Sequence, residues 1–335
     1  MSAKQTAADI LGRPPWTDEQ LTQAYVSDFT GIYRALHVHP GYRSHSELEQ
    51  LTLSKRLFDK ALLALQSAVE AFLVHSNSSG FRTRELEIEA ADLMLSVQSA
   101  LFQAVTTAIA FRDRARTACR RLSVPCFKDR FETVFEKDKR SQFVCAIRDH
   151  FSHVAPLVAE WELSRSGNSA STVAKFLLQV ADLDEATKQD RKGWNPRARK
   201  FVDDHRARGS VDIVLLLSDH GKELEKFYHW LYSATEANAG PDLIDYRDVQ
   251  TRFNRIAIRI GWKAIVLPWM NQSDPRLALN QYLTKAEIKI VDSLPTNSHE
   301  QVGKIIGFLD AEHAFMDDEM KRAIYTRFGL KNTSA

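Results

Sequence analysis

The chain has 335 residues, with 45 Lys and Arg against 43 Asp and Glu and a formal charge of +2. This balance excludes a protein that coats a polyanion along its whole length, and 13 Gly with 10 Pro exclude collagen-like and proline-rich disordered chains. A chain this long buries about three quarters of its unfolded surface, so it needs no disulfide or metal staple, and about two domains are expected.

Cys119, Cys126 and Cys145 are an odd number and form no CxxC spacing, so they read as free thiols of a reducing compartment. There is no run of 18 apolar residues, and the first residues lack the apolar centre of a signal peptide. The expectation is a cytoplasmic protein with no membrane partner.

In chain order, Pro14-Pro15 closes an irregular leader. Thr17-Asp-Glu-Gln20 is a capping box that predicts a helix from Thr17 to about Leu36. His39-Pro40-Gly41 breaks it. Ser46-Glu-Leu-Glu49 is read as a second capping box, opening a helix to about Val74, and Asn77-Ser-Ser-Gly80 as its stop. Leu86, Ala90, Leu93, Val97, Ala100, Ala104 and Phe111 then recur at four- and three-residue steps, with Thr107 as the one interruption. The pattern predicts a long helix from about Thr83 to Leu122, with small residues along its seam. Val124-Pro125 forces a turn. A second helix is predicted from about Lys128 to His153, with Phe143, Ile147 and Phe151 as its stripe, ending there because Pro156 disfavours helical geometry at Ala155.

The pattern then changes. Ser164–Ser171 reads as a polar loop. Thr172–Leu183 fits a short strand pair or a helix, and its alternation leans to strand. Asn195-Pro196 starts another helix and Gly209-Ser210 ends it. Val211–Thr235 reads as a helix, with Val214, Leu215, Leu217, Leu224, Phe227 and Leu231 as core candidates. After the break at Gly240-Pro241, Asp242–Trp269 reads as helical, and one or two short helices fill the remainder to about Phe328. The expected fold class is mainly α, an antiparallel helical bundle with additional helical regions at both ends and a short β element. Four consecutive regions follow: residues 1–80, helical; 81–157, the helical core; 158–194, a connector; and 195–335, helical.

The chemically informative stretch is Arg148-Asp149-His150-Phe151-Ser152-His153. Metal-free RNA cleavage needs a proton acceptor for the 2′-hydroxyl, a proton donor for the leaving 5′-oxygen, and a cation for the charge growing on phosphorus. Histidine serves either proton role near neutral pH. Arginine stays charged and forks onto two phosphate oxygens. Five residues on a straight helix subtend about 500°, leaving Arg148 and His153 about 140° apart around the axis. Either the helix ends at His153 and swings that ring round, or two copies of the helix meet and share a cleft.

An Arg followed by a polar residue and then, after three more, by His, on the second of two long helices and just before a proline, resembles the motif of the HEPN superfamily of helical ribonuclease-like domains. The resemblance spans about residues 85–157, through the long helix, the connector with Phe127 and Phe131, and the stretch from Phe143 to His153. Asp149 stands where the family most often has Asn. The resemblance implies a HEPN-like bundle and a metal-independent endoribonuclease without cofactors. Arg148 would hold the scissile phosphate, His153 would move the proton, and Asp149 would orient. It further implies a homodimer, an RNA partner, a toxin or phage-defence role, and a neutralising antitoxin or regulatory partner. The rival expectation is a non-catalytic helical module that binds protein or RNA.

His150 and His153 at i, i+3, with Glu160 or Glu162, are a weaker metal-ligand pattern lacking a third ligand at a recognisable spacing. P-loop, GxGxxG and GxSxG motifs are absent. Residues 112–140 hold ten Lys and Arg against five acids, and residues 188–208 hold eight against three. Arg120, Arg121, Lys128, Arg130, Lys139 and Arg140 are therefore candidates for tracking an RNA backbone. Trp194 is a candidate for stacking on a base, although a buried anchor is the more common role for Trp.

Overall fold

The computed structural model describes residues 6–76, 84–165, 172–190, 192–271 and 274–331. The helix stop expected at Asn77–Gly80 and most of the loop expected at Ser164–Ser171 lie outside these residues. The protein is mainly helical with one small sheet. The chain divides into two compact units, Met1–His45 with Pro241–Ala335, and Ser46–Gly240.

Helices α1 (Ala7–Leu11), α2 (Asp18–Ser27) and α3 (Phe29–His37) open the first unit. The Thr17–Gln20 capping box forms as expected: the Thr17 hydroxyl accepts from the Gln20 amide, and Gln20 Oε1 accepts from the Thr17 amide at 2.9 Å. The single helix expected to Leu36 is instead two. Asp28 leaves helical geometry and its carboxylate accepts from the Gly31 amide, so it caps a new helix. Gly41 follows the break at His39–Pro40, at a point where a Cβ would collide with the Asp242 carbonyl.

Helix α4 (Tyr42–Ser76) begins before the expected start. Its first bonds run from the Tyr42 amide to the His39 carbonyl and from the His45 amide to the Gly41 carbonyl. Ser46 is thus already inside the helix and caps nothing. Helix α5 (Arg84–Leu122) matches the predicted span, and Val97, Ala100, Ala104 and Phe111 of its seam are buried. The Thr107 hydroxyl bonds back to the Gln103 carbonyl at 2.8 Å, which lets a polar residue sit in the stripe. Over Ile88–Leu122 this helix is also long and apolar enough to cross a membrane, by length and composition alone.

The next helix is not continuous. After α6 (Phe127–Phe131) comes a π-helical turn, Glu132–Glu136, and then α7 (Lys139–His153), restarted by Asp138, whose carboxylate accepts from the Ser141 amide at 2.7 Å. The sheet is antiparallel in the order β1 (Glu160–Arg165), β2 (Thr172–Gln179), β3 (Ser210–Asp212). Glu162 faces Lys175 across the first pair, and Leu177 faces Asp212 across the second. The strand leaning at Thr172 therefore holds up to Gln179, and helix α8 (Val180–Gln189) follows. Helix α9 (Pro196–His205) starts as expected, with Asn195 as its cap and Pro196 in the first turn.

Val211 belongs to β3 and not to the helix expected from there. Helix α10 (Ile213–Gly261) follows, interrupted at Gly240 (φ +59°), whose left-handed conformation suits glycine alone among common residues. Leu217, Leu224, Phe227 and Leu231 are core as expected. Val214 is half-buried and Leu215 is exposed, while Leu216 takes the inward position. Within Ser46–Gly240, Phe58, Leu65 and Phe72 of α4 join Phe111, Phe143, Ile147, Phe176 and Trp194 in one core, each contributing about 1.5–3 kcal/mol by burial.

After a π-helical turn at Trp262–Val266, the chain continues through α11 (Leu267–Met270), α12 (Pro275–Leu279), α13 (Lys285–Asp292), α14 (His299–Asp310) and α15 (Asp318–Arg327). These are more short helices than expected. Thr284, Ser298 and Asp317 start three of them by capping. Two cores serve this unit. One joins α1–α3 to Val249, Phe253 and Ile256, and the other runs from Trp262 to Phe328.

Candidate functional site

The stretch Arg148–His153 is placed by α7 packing on α5. Phe143, Val144, Ala146 and Ile147 are buried and fix the rotation of α7. The pair runs antiparallel: Arg112 meets Cys145, while ten residues earlier Phe102 meets Phe151 at 6.0 Å between ring centroids. The Gln98 side chain amide then bonds the backbone at Leu157 and Ala159, which satisfies the non-helical segment after α7.

With the apolar face turned inward, Arg148 and Asp149 are half-buried and His153, the last helical residue, is exposed. Arg148 Nη1 donates to Asp149 Oδ1 at 2.8 Å. Asp149 also acts on α5. Burial works against the Arg112 cation, but Cys145, Asp113 and Asp149 together hold its pKa above the ordinary value. The Arg112 guanidinium donates to Cys145 Sγ at 2.8 Å. Burial nevertheless pushes the Cys145 thiol up, so it is neutral at pH 7 and a poor nucleophile. The result is a charged group of two arginines, Arg112 and Arg148, around Asp149. Sequence reasoning placed Arg112 only in a basic stretch. Its proximity to Asp149 depends on the α5–α7 register, which no local pattern encodes.

His153 makes no hydrogen bond or ion pair among the described residues, and its ring is open to solvent. The helix does end at His153, but that residue is still helical, with Val154 as the cap. The 140° separation from Arg148 therefore stands within one copy. His150 is placed differently: only 2% exposed, edge-on to the buried Trp194 at 6.3 Å, with Nδ1 unpartnered. Burial holds its pKa below the usual value against a smaller upward pull from Asp190, so it stays neutral. His150 and His153 thus do not share a solvent face as a metal-ligating pair, and no group of three or more His, Cys, Asp or Glu able to hold a metal occurs among the described residues.

The six backbone-tracking candidates are spread and mostly engaged. Arg121 pairs with the buried Glu47 at 2.8 Å, Lys128 with Glu132 at 4.0 Å, Lys139 with Asp204 at 2.7 Å and Arg140 with Asp219 at 3.7 Å. The Arg130 guanidinium lies 5.8 Å from the Trp230 ring centroid. Arg120 is exposed and makes no ion pair among the described residues. Trp194 is fully buried against Phe143, so it is an anchor and does not offer a face to a base.

No family model, no curated protein and no solved structure matches this chain.

Proposed function

We propose that this chain is a metal-independent endoribonuclease of the HEPN type that works as a homodimer in the cytoplasm. The observation that carries the proposal is the end of α7: a solvent-accessible Arg148 paired with Asp149, and an exposed, unengaged His153 one turn further on. None of the three is needed to hold the core, whereas their neighbours Ile147 and His150 are buried.

Arg148 and Arg112 supply fixed positive charge for the two phosphate oxygens that gain charge as phosphorus becomes five-coordinate. The exposed His153 ring takes the proton of the 2′-hydroxyl, and a second imidazole protonates the departing 5′-oxygen, giving a 2′,3′-cyclic phosphate and a 5′-hydroxyl. Because one helix holds Arg148 and His153 about 140° apart, the two act on one phosphate when two α7 helices meet and each contributes an Arg and a His to the cleft. A toxin or phage-defence role, with a neutralising partner, accords with this chemistry.

The test is incubation of purified protein with RNA, with and without EDTA, alongside Arg148→Ala and His153→Ala. Cleavage by wild type in EDTA that both substitutions remove supports the proposal. Identical cleavage by all three, or none by wild type, leaves the rival, a non-catalytic binding module. For that rival the exposed Ile88, Leu95 and Phe102, spaced by seven along α5, are the favouring observation.

A further inference from the structure

A cleft of about 500 Å³ opens between the start of α7, the sheet, the end of α9 and the first turns of α10, all within Ser46–Gly240. It shares no residue with the Arg148–His153 site. From its composition we infer that it binds a nucleoside monophosphate: Arg140, Lys175 and Arg208 hold the phosphate, and the base lies on the His205 ring. The inference stands apart from the nuclease proposal and would survive its failure.

The charges favour an anion even though the lining holds acids as well. Lys175 and Arg208 are exposed and make no ion pair among the described residues. Two of the three acids are engaged. Asp212 Oδ1 accepts from the Val214 and Leu215 amides at 3.0 Å each and so caps α10. Asp219 lies 2.8 Å from Lys222 and only 3.7 Å from Arg140, so a lysine at its other side neutralises it. Glu162 is the cross-strand neighbour of Lys175 and offsets one charge at the sheet. What remains for a ligand is the two arginine forks of Arg140 and Arg208, with Lys175 beside them, side chains suited to a phosphate dianion.

The second half of the argument is the ring stack. Phe201 stacks on Phe143 with centroids 4.5 Å apart, and the His205 ring follows at 4.4 Å, tilted by 31° to Phe201. His205 ends the column, is half-buried, and lines the cleft together with Phe201. Its Nδ1–H donates to the Phe201 carbonyl at 2.9 Å, since a carbonyl only accepts. This fixes the ring and leaves Nε2 to accept from a donor on the ligand. A locked imidazole face suits any nucleobase, because each offers a flat π surface. The volume suits one nucleotide and is small for an oligomer.

The test is calorimetric titration of the full-length protein with AMP and UMP, with adenosine, inorganic phosphate and a short RNA as further probes. Lys175→Ala and Arg208→Ala are both at exposed positions, and thermal melts are run to check that they fold. Lys285→Ala, an exposed cation outside the cleft, is the control. We expect binding of a mononucleotide that each cleft substitution weakens about tenfold and the pair abolishes, with the control unchanged, phosphate weaker, and adenosine undetectable. Four results would each overturn the inference: no mononucleotide binding at millimolar concentration, binding insensitive to both substitutions, adenosine binding as well as AMP, or binding of the RNA alone.

Discussion

Arg148 and Asp149 are neighbours in sequence and in charge: successive residues of α7, with Nη1 and Oδ1 2.8 Å apart. Adjacent helical residues point about 100° apart, so the pair forms because both side chains bend toward the same strip of solvent-facing surface. That strip also carries the electrostatic influence of Asp149 on Arg112. Arg148→Ala is expected to lower RNA cleavage at saturating substrate by about two to three orders of magnitude, the usual loss when one donor to a developing oxyanion is removed. Asp149→Asn, which keeps the shape and a hydrogen-bond acceptor, should lose far less. Single-turnover rates on a defined RNA check both, and equal losses would argue against an orienting role for Asp149.

His153 gives a different signature. Its removal takes away proton transfer, so His153→Ala should lower the rate about 10²- to 10⁴-fold in single-turnover measurements. The shared cleft adds a mixing test. A heterodimer of Arg148→Ala and His153→Ala retains one Arg and one of the two imidazoles in the cleft, so mixing the two inactive proteins should restore part of the cleavage, above either alone. Absence of recovery, with heterodimers shown to form by subunit exchange, would oppose the shared cleft.

The parts of this arrangement legible in the sequence are those with a local cause. The seam of α5 follows from three- and four-residue spacing, the end of α7 from Pro156, the start of α9 from Asn195-Pro196, and the break in α10 from Gly240-Pro241. The failures also have local causes of a subtler kind. Asp28 and Asp138 each divide an expected helix by capping, although neither is flagged by a glycine or proline. Ser46 carries a capping-box pattern, but the preceding turn at His39–Gly41 had already started the helix. Ser164 and Arg165, expected in a loop, instead end strand β1, which has no pattern of its own because its six residues gain a partner only through β2. At the candidate site, the exposure of His153 and the burial of His150 are consequences of which face of α7 meets α5, which the Phe143–Ile147–Phe151 stripe already implies. The approach of Arg112 to Cys145 is not, because it depends on how far two long helices slide past each other.

A buried carboxylate provides a stability test remote from the chemistry. Glu47 is 4% exposed and is held by two arginines of α5, Arg114 and, at 2.8 Å, Arg121. Removing one partner of a buried ion pair leaves the other charge uncompensated, which costs about 3–5 kcal/mol. Glu47→Gln is therefore expected to destabilise by about 3 kcal/mol in urea unfolding, since Arg114 remains largely buried. Arg121→Ala should cost much less, as its side chain is half-exposed and Arg114 still satisfies Glu47.

Another buried histidine predicts how stability depends on pH. His220 of α10 is 2% exposed, and Ser141 Oγ lies 3.5 Å from its Nδ1. Because the Ser141 hydroxyl donates to the Val134 carbonyl at 2.6 Å, His220 must carry its proton on Nδ1 and donate to Ser141. Burial, aided by Arg140, pushes its pKa down to about 4, against the smaller opposing effects of Asp138 and Glu223. The sign follows from proton counting. Below pH about 6.5 the unfolded chain binds a proton that the folded chain refuses until pH about 4, so stability falls as the solution is acidified across that window. The loss attributable to His220 is about 3 kcal/mol when complete. His150 acts in the same direction. Asp204, Asp219 and Glu225 are held below their ordinary values by lysines, so their ion pairs fail at still lower pH and leave the window to the histidines. Urea midpoints at pH 7, 6, 5 and 4.5 should therefore fall steadily for wild type. In His220→Leu, which fills the same apolar site without a titrating group, most of that slope should disappear, and an unchanged slope would mean that His220 is not the buried group that resists protonation.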